Sequence, residues 1–81
     1  MTKILRDSHL GKNIKRIRLS KGYTQDQVII GLHLLGSPIH RVSYAQIESG
    51  RNNIFASDLV AMKEFFQVEY SEFFRDIPTS R

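Results

Sequence analysis

Residues 24–50 read TQDQVIIGLHLLGSPIHRVSYAQIESG, two helical segments separated by a Gly-Ser-Pro break. Thr24 stands where a helix N-cap belongs and Gln27 occupies the third helical position, so each side chain can bond the other's backbone N–H in a capping box. Gly22, just upstream, supplies the left-handed residue that ends a preceding helix. Val28, Ile29, Leu32 and Leu35 then recur at helical spacing until Gly36, Ser37 and Pro38 interrupt the run. Gly31 lies inside this helix at a cost to its stability. Beyond the break, Val42, Tyr44, Ala45 and Ile47 sit in a segment from Arg41 to Ser49 that Gly50 terminates, a short third helix. The spacing of Tyr44 and Ile47 puts both on its core side.

Upstream, Leu10, Ile14 and Ile17 define a first helix with Lys12, Lys15 and Arg16 on its other side, capped by Ser8 or Asp7 and ending near Lys21. Downstream, Leu59, Val60, Met62, Phe65 and Phe66 define a fourth helix starting between Phe55 and Asp58. Tyr70, Phe73 and Phe74 suggest a short fifth, and Asp76 to Arg81, with Pro78, reads as a frayed tail. Nothing alternates at period two for long enough to predict a strand, and no repeat appears. The expected fold is all-α, a compact bundle of about five short helices in one domain over residues 1–81, with its core in 8–75 and flexible ends at 1–6 and 76–81.

Eighty-one residues provide one modest core, for which oligomerisation is an ordinary supplement. Cysteine is absent, which excludes disulfides and thiolate zinc sites. His9, His33 and His40 are scattered without metal-ligand spacing, so no metal is expected. No apolar run approaches a membrane span and the first ten residues lack a secretory signal; a cytoplasmic location is the expectation. No nucleophile triad, phosphate-cradling glycine loop or paired carboxylates point to an enzyme, and no cofactor or small-molecule ligand is suggested. Twelve Lys and Arg against eight Asp and Glu give a net charge of +4. Lys3, Arg6, Lys12, Lys15, Arg16, Arg18 and Lys21 face only Asp7 within the first 21 residues. Such clustering suits a polyanion, and equally a solvated helix face.

The run Leu10-Gly-Lys-Asn-Ile-Lys-Arg-Ile-Arg-Leu-Ser-Lys-Gly-Tyr-Thr-Gln25 resembles the start of the Cro/repressor-type, or xenobiotic-response-element-type, helix-turn-helix family. Ala45-Gln-Ile-Glu-Ser-Gly-Arg51 falls where that family has its I-E-x-G signature, and residues 59–68 where it has its fourth helix. The likeness spans Leu10 to Phe74. It implies a lambda-repressor-like DNA-binding domain whose helix-turn-helix runs from Thr24 to Gly50, in a transcriptional regulator, a repressor rather than an activator, acting as a homodimer on a palindromic operator in double-stranded DNA.

By that resemblance Arg41, Val42, Ser43 and Gln46 read bases. These residue types suit base readout, since Arg bonds guanine bidentately, Gln adenine, and an apolar group meets a thymine methyl. Thr24, Gln25, Gln27, His40, Arg51, Asn52 and Asn53 fall at phosphate-contacting positions, with α-helical N–H groups and the helix dipole assisting at Thr24. Arg16 adds long-range attraction. Arg18 and Glu48 occupy positions of a structural ion pair. Phe66, Val68, Phe73, Phe74 and Ile77 are candidates for a dimer interface, or for the intramolecular core. Residues 24–50 are roughly five longer than the compact motif with its ~3–4-residue turn; Leu35-Gly-Ser-Pro-Ile-His-Arg41 matches a branch with an extended turn. Where the family prefers Ala, this chain has Ile29, which predicts wider helix spacing or compensating repacking. A protein-interaction module on the same scaffold, antitoxin-like or anti-repressor, is the alternative, favoured by Val42 and by aromatics near Phe73.

Overall fold

Capping residues and glycines set the limits of the helices. In the computed structural model, which describes residues 3–4 and 8–77, these are α1 (Ser8–Ser20), α2 (Gln25–Leu34), α3 (Arg41–Glu48), α4 (Ala56–Phe66) and α5 (Tyr70–Phe73). At the start of α2 the capping box is closed: Thr24 Oγ1 accepts from the Gln27 N–H at 3.1 Å and Gln27 Oε1 from the Thr24 N–H at 2.8 Å. At the end of α3, Gly50 adopts φ 78°, and the Arg51 N–H reaches back to Gln46 O at 2.8 Å. That left-handed turn satisfies carbonyls the helix leaves open. A Cβ at Gly50 would also lie 2.9 Å from Ser8 Cα, so the start of α1 closes on this turn. Asp7, one of the two capping candidates for α1, lies outside the described residues.

Apolar side chains spaced for one helix face converge on a single core. Leu10, Ile14 and Ile17 of α1 meet Val28, Ile29 and Leu32 of α2, Tyr44 and Ile47 of α3, Leu59, Met62 and Phe66 of α4, and Phe73 of α5. α1 packs on α3 and α5, and α2 on α3 and α4. The C-terminal turn is fastened by polar contacts from α1. Buried Asn13 donates through Nδ2 to Phe73 O at 2.9 Å and Arg75 O at 2.8 Å, and Arg16 Nη2 donates to Glu72 O at 3.0 Å. Arg16 also pairs with the Glu72 carboxylate at 3.4 Å, so its charge is partly answered within the fold.

Two two-residue strands pair antiparallel, β1 (Lys3–Ile4) with β2 (Ile54–Phe55), Lys3 opposite Phe55 and Ile4 opposite Ile54. Strands of two residues are too short to show alternation, which is why periodicity gives no sign of them. The pairing ties down residues 3 and 4 of the end expected to be flexible; residues 1, 2, 5, 6 and 78–81 lie outside the described part.

Among the interface candidates, Phe66 and Phe73 are 1% and 0% exposed, so they complete the intramolecular core and offer nothing to a second copy. Phe74 is exposed, while Val68 and Ile77 pack partly buried against the core. Ile29 is accommodated in the core, and a separate close approach, between α2 and α4, is made at Gly31. The Phe65 ring of α4 lies over it, where a Cβ would come within 2.0 Å of Phe65 Cε1. Phe65 in turn meets Tyr23 at 4.9 Å and Phe66 at 5.4 Å between ring centroids.

Candidate nucleic-acid interface

An eight-residue helix is far below the length that is stable alone in water, so α3 exists only as its surroundings hold it. Tyr44 and Ile47 bury its inner face. Its last turn rests on α1 at Gly11, where a Cβ would lie 2.3 Å from Ile47 O and 2.7 Å from Glu48 O; only a glycine lets the two backbones come this close.

A charged network clamps the same end. Arg18 donates to Glu48 through Nε at 2.7 Å and Nη2 at 3.0 Å, and to Tyr23 O through Nη1 at 3.0 Å. Gln25 Nε2 donates to Glu48 Oε1 at 3.0 Å. Burial alone would push the Glu48 carboxyl up, but the hydrogen bonds led by Arg18 outweigh it and hold the carboxyl below its ordinary value. Arg18 is raised, chiefly by its hydrogen bond to Glu48. The buried Tyr44 hydroxyl, beside this pair, is pushed up first by burial and then by its closeness to the Glu48 carboxylate. Among the described residues Tyr44 Oη has no hydrogen-bond partner.

The other end of α3 is set by the extended turn. Gly36 at φ 92° turns the chain, and the Ser37 N–H bonds Leu32 O at 2.9 Å. Buried Ser37 donates through Oγ to Asp58 Oδ1 at 2.9 Å, joining the turn to α4. His33 Nε2 donates to Ile39 O at 2.7 Å, and Ile39 is itself in the core. The extended turn is therefore anchored by three hydrogen bonds.

On the outer side, Arg41, Val42 and Gln46 are exposed and Ser43 is half-buried. Arg41 Nε donates to Asp26 Oδ1 at 2.8 Å. His40 takes the N-cap position of α3 without a side-chain cap bond. His40, Ser43, Asn52 and Asn53 line one open concavity of about 480 Å³ whose floor is apolar, with Ile39 and Phe55 among its walls. These four expected DNA contacts are thus brought to one place.

Others are engaged elsewhere. Gln25, expected at a phosphate, donates one amide N–H to Glu48, adding a third hydrogen bond to a carboxylate whose other two come from Arg18. Thr24 and Gln27 bond each other, and Asn52 Oδ1 accepts from the Asn53 N–H at 2.9 Å. Arg51 is exposed. Residues that position this surface but carried no sequence signal of doing so are Gly11, Asp26, His33, Ser37 and Asp58. Each looks ordinary in its own helix or turn, and its partner lies on another element. Comparison of the chain with protein-family models, with curated proteins and with solved structures finds no match.

Proposed function

We propose that this chain binds double-stranded DNA sequence-specifically through a helix-turn-helix made of α2 and α3, and that it acts as a transcriptional regulator, a repressor. The observation that carries the reading is the division of α3. Its inner residues are locked into the core and the clamp, while Arg41, Val42 and Gln46, chemically suited to guanine, thymine methyl and adenine, stand exposed on a helix held at both ends. His40, Asn52 and Asn53, gathered beside them with the base-reading candidate Ser43, carry hydrogen-bonding groups of the kind that contact phosphates. Exposed Lys12, Lys15 and Lys21 on and after α1 add attraction to the polyanion.

The test is duplex binding across ionic strength. Counterion release makes log K fall with log salt by about 0.9 per phosphate contacted. Arg41→Ala and Gln46→Ala are expected to change sequence preference, by roughly 1–3 kcal/mol for each bidentate pairing with a base that is removed. Salt-independent binding, or unchanged preference in both variants, refutes the reading. As a two-fold dimer the protein would place its half-sites about 34–36 Å apart; Val68, Phe74 and Ile77 are the candidates left for that interface, and a sedimentation mass that stays monomeric with and without duplex rejects it.

A second reading is favoured by apolar side chains left at the surface. Ile30, Leu34 and Val42 are 63%, 83% and 67% exposed. They suit a protein-interaction module on the same scaffold, antitoxin-like or anti-repressor, whose apolar contact would be insensitive to salt.

A further inference from the structure

We infer that Asp26 is a positioning residue for Arg41, holding the guanidinium so that its far edge is offered to guanine; this rests on the DNA-binding reading above. Arg41 opens α3, and Asp26 stands in the first turn of α2. Their ion pair, Nε to Oδ1 at 2.8 Å, forms although the two side chains are 50% and 77% exposed. It is the hydrogen bond that the Arg41 guanidinium makes among the described residues. A guanidinium presents five N–H donors in a rigid planar fork. Contact through Nε uses one and leaves the donors of Nη1 and Nη2. Their paired edge matches guanine O6 and N7. A side chain already held at Nε has less orientational freedom to lose when it meets the base. Without the carboxylate, Arg41 is a flexible cation that any phosphate can satisfy.

Asp26 has a second effect of opposite sign. It puts a negative charge in the first turn of α2, where the helix dipole would otherwise favour a phosphate. The carboxylate therefore weakens attachment to DNA of any sequence while sharpening preference at one base pair. A residue that merely stabilised the fold would alter both quantities in the same direction and at every position.

The experiment uses the full chain. A duplex pool with a randomised segment is enriched by binding and sequenced, and fluorescence anisotropy on a poly(dA-dT) duplex reads base-independent affinity. The wild type is expected to enrich guanine at a defined position, and Arg41→Ala to lose it. Asp26→Asn should lower that one preference about two- to fivefold, the scale of an exposed ion pair, leave other positions unchanged, and bind poly(dA-dT) more tightly. Asp26→Glu, which keeps the carboxylate, should recover part of the preference. In an Arg41→Ala background Asp26→Asn should change no position. Unchanged guanine preference in Asp26→Asn, or equal weakening at every position, overturns the positioning role and leaves the DNA-binding reading standing. A wild-type pool with no enrichment overturns that reading and this inference together.

Discussion

Replacing Glu48 by Gln removes the charge at the centre of the clamp while keeping the side chain's size. The Arg18 and Glu48 side chains are 10% and 3% exposed, and the carboxylate receives Arg18 Nε, Arg18 Nη2 and Gln25 Nε2 at 2.7, 3.0 and 3.0 Å. Breaking a buried ion pair from one side costs about 3–5 kcal/mol, most of it the penalty of the charge left behind. Here Arg18 keeps Tyr23 O at 3.0 Å and a glutamine oxygen can still accept one N–H, so the expected loss falls at or below the bottom of that range, about 2–3 kcal/mol. For a domain of this size that lowers Tm by roughly 8–24 °C.

The same variant carries a pH signature. An unfolded Glu titrates near about 4.3, and the folded carboxyl of Glu48 is held lower, by hydrogen bonds that outweigh its burial. The unfolded chain then binds the proton more readily. The contribution of Glu48 is complete above the unfolded value and is lost as pH falls through the folded one. Thermal unfolding by circular dichroism should show the gap between wild type and Glu48→Gln widest near neutrality and closing in acid. A double variant, Arg18→Met with Glu48→Leu, removes both charges and should lose less stability than the sum of the two single changes. Equal stability of wild type and Glu48→Gln at neutral pH, or a gap that grows as pH falls, would refute the reasoning.

Gly31→Ala gains about 1 kcal/mol of helix propensity but drives a Cβ to 2.0 Å from the Phe65 ring, and overpacking costs about 1–3 kcal/mol. Urea unfolding should show a net loss of about 1 kcal/mol, and a stabilised variant would mean that the ring moves aside freely. Gln67 ends α4 at φ 56°, ψ 53°, a conformation that costs a non-glycine residue about 1–2 kcal/mol. Gln67→Gly should stabilise by roughly 0.5–1 kcal/mol, read as a raised denaturation midpoint; no gain would mean that the Gln67 Nε2 bond to Glu64 O at 2.6 Å compensates. Tyr44→Phe removes a buried hydroxyl without a hydrogen-bond partner among the described residues, so stability should hold or rise within about 1 kcal/mol. A larger loss by the same measurement would show that the hydroxyl bonds Glu48 in solution.

What could be read from the chain was local. The Thr24–Gln27 box, Gly22 and Gly50 as helix stops, and the apolar spacing within each helix depend on residues a turn apart, and these place all five helices within a residue or two. What could not be read depends on pairs that meet only after folding. Ser37 finds Asp58 across 21 residues, Asn13 finds Phe73 across 60, and Gly31 looks like a defect until Phe65 arrives over it. Gln25 illustrates the intermediate case: its place at the start of α2 was legible, but its choice of a carboxylate over open solvent follows from Glu48 being held within reach by Arg18.

These long-range pairs divide α3 into two faces with different roles. Residues that keep it in place, Tyr44, Ile47 and Glu48, face inward and answer to the core and the clamp. Those facing outward, Val42 and Gln46 above all, make no buried contact, so the fold sets little constraint on their identity. Arg41 lies between the two groups, exposed yet tied to α2. The extended turn links the two faces: because Ser37 hangs on Asp58 and His33 on Ile39 O, the first residue of α3 is placed by α2 and α4 rather than by the turn's own conformation. A turn of this length need not loosen the helix that follows it when its interior positions are spent on anchors. The outward face can therefore change its chemistry while the scaffold holds its position, which is the arrangement a sequence-reading surface requires.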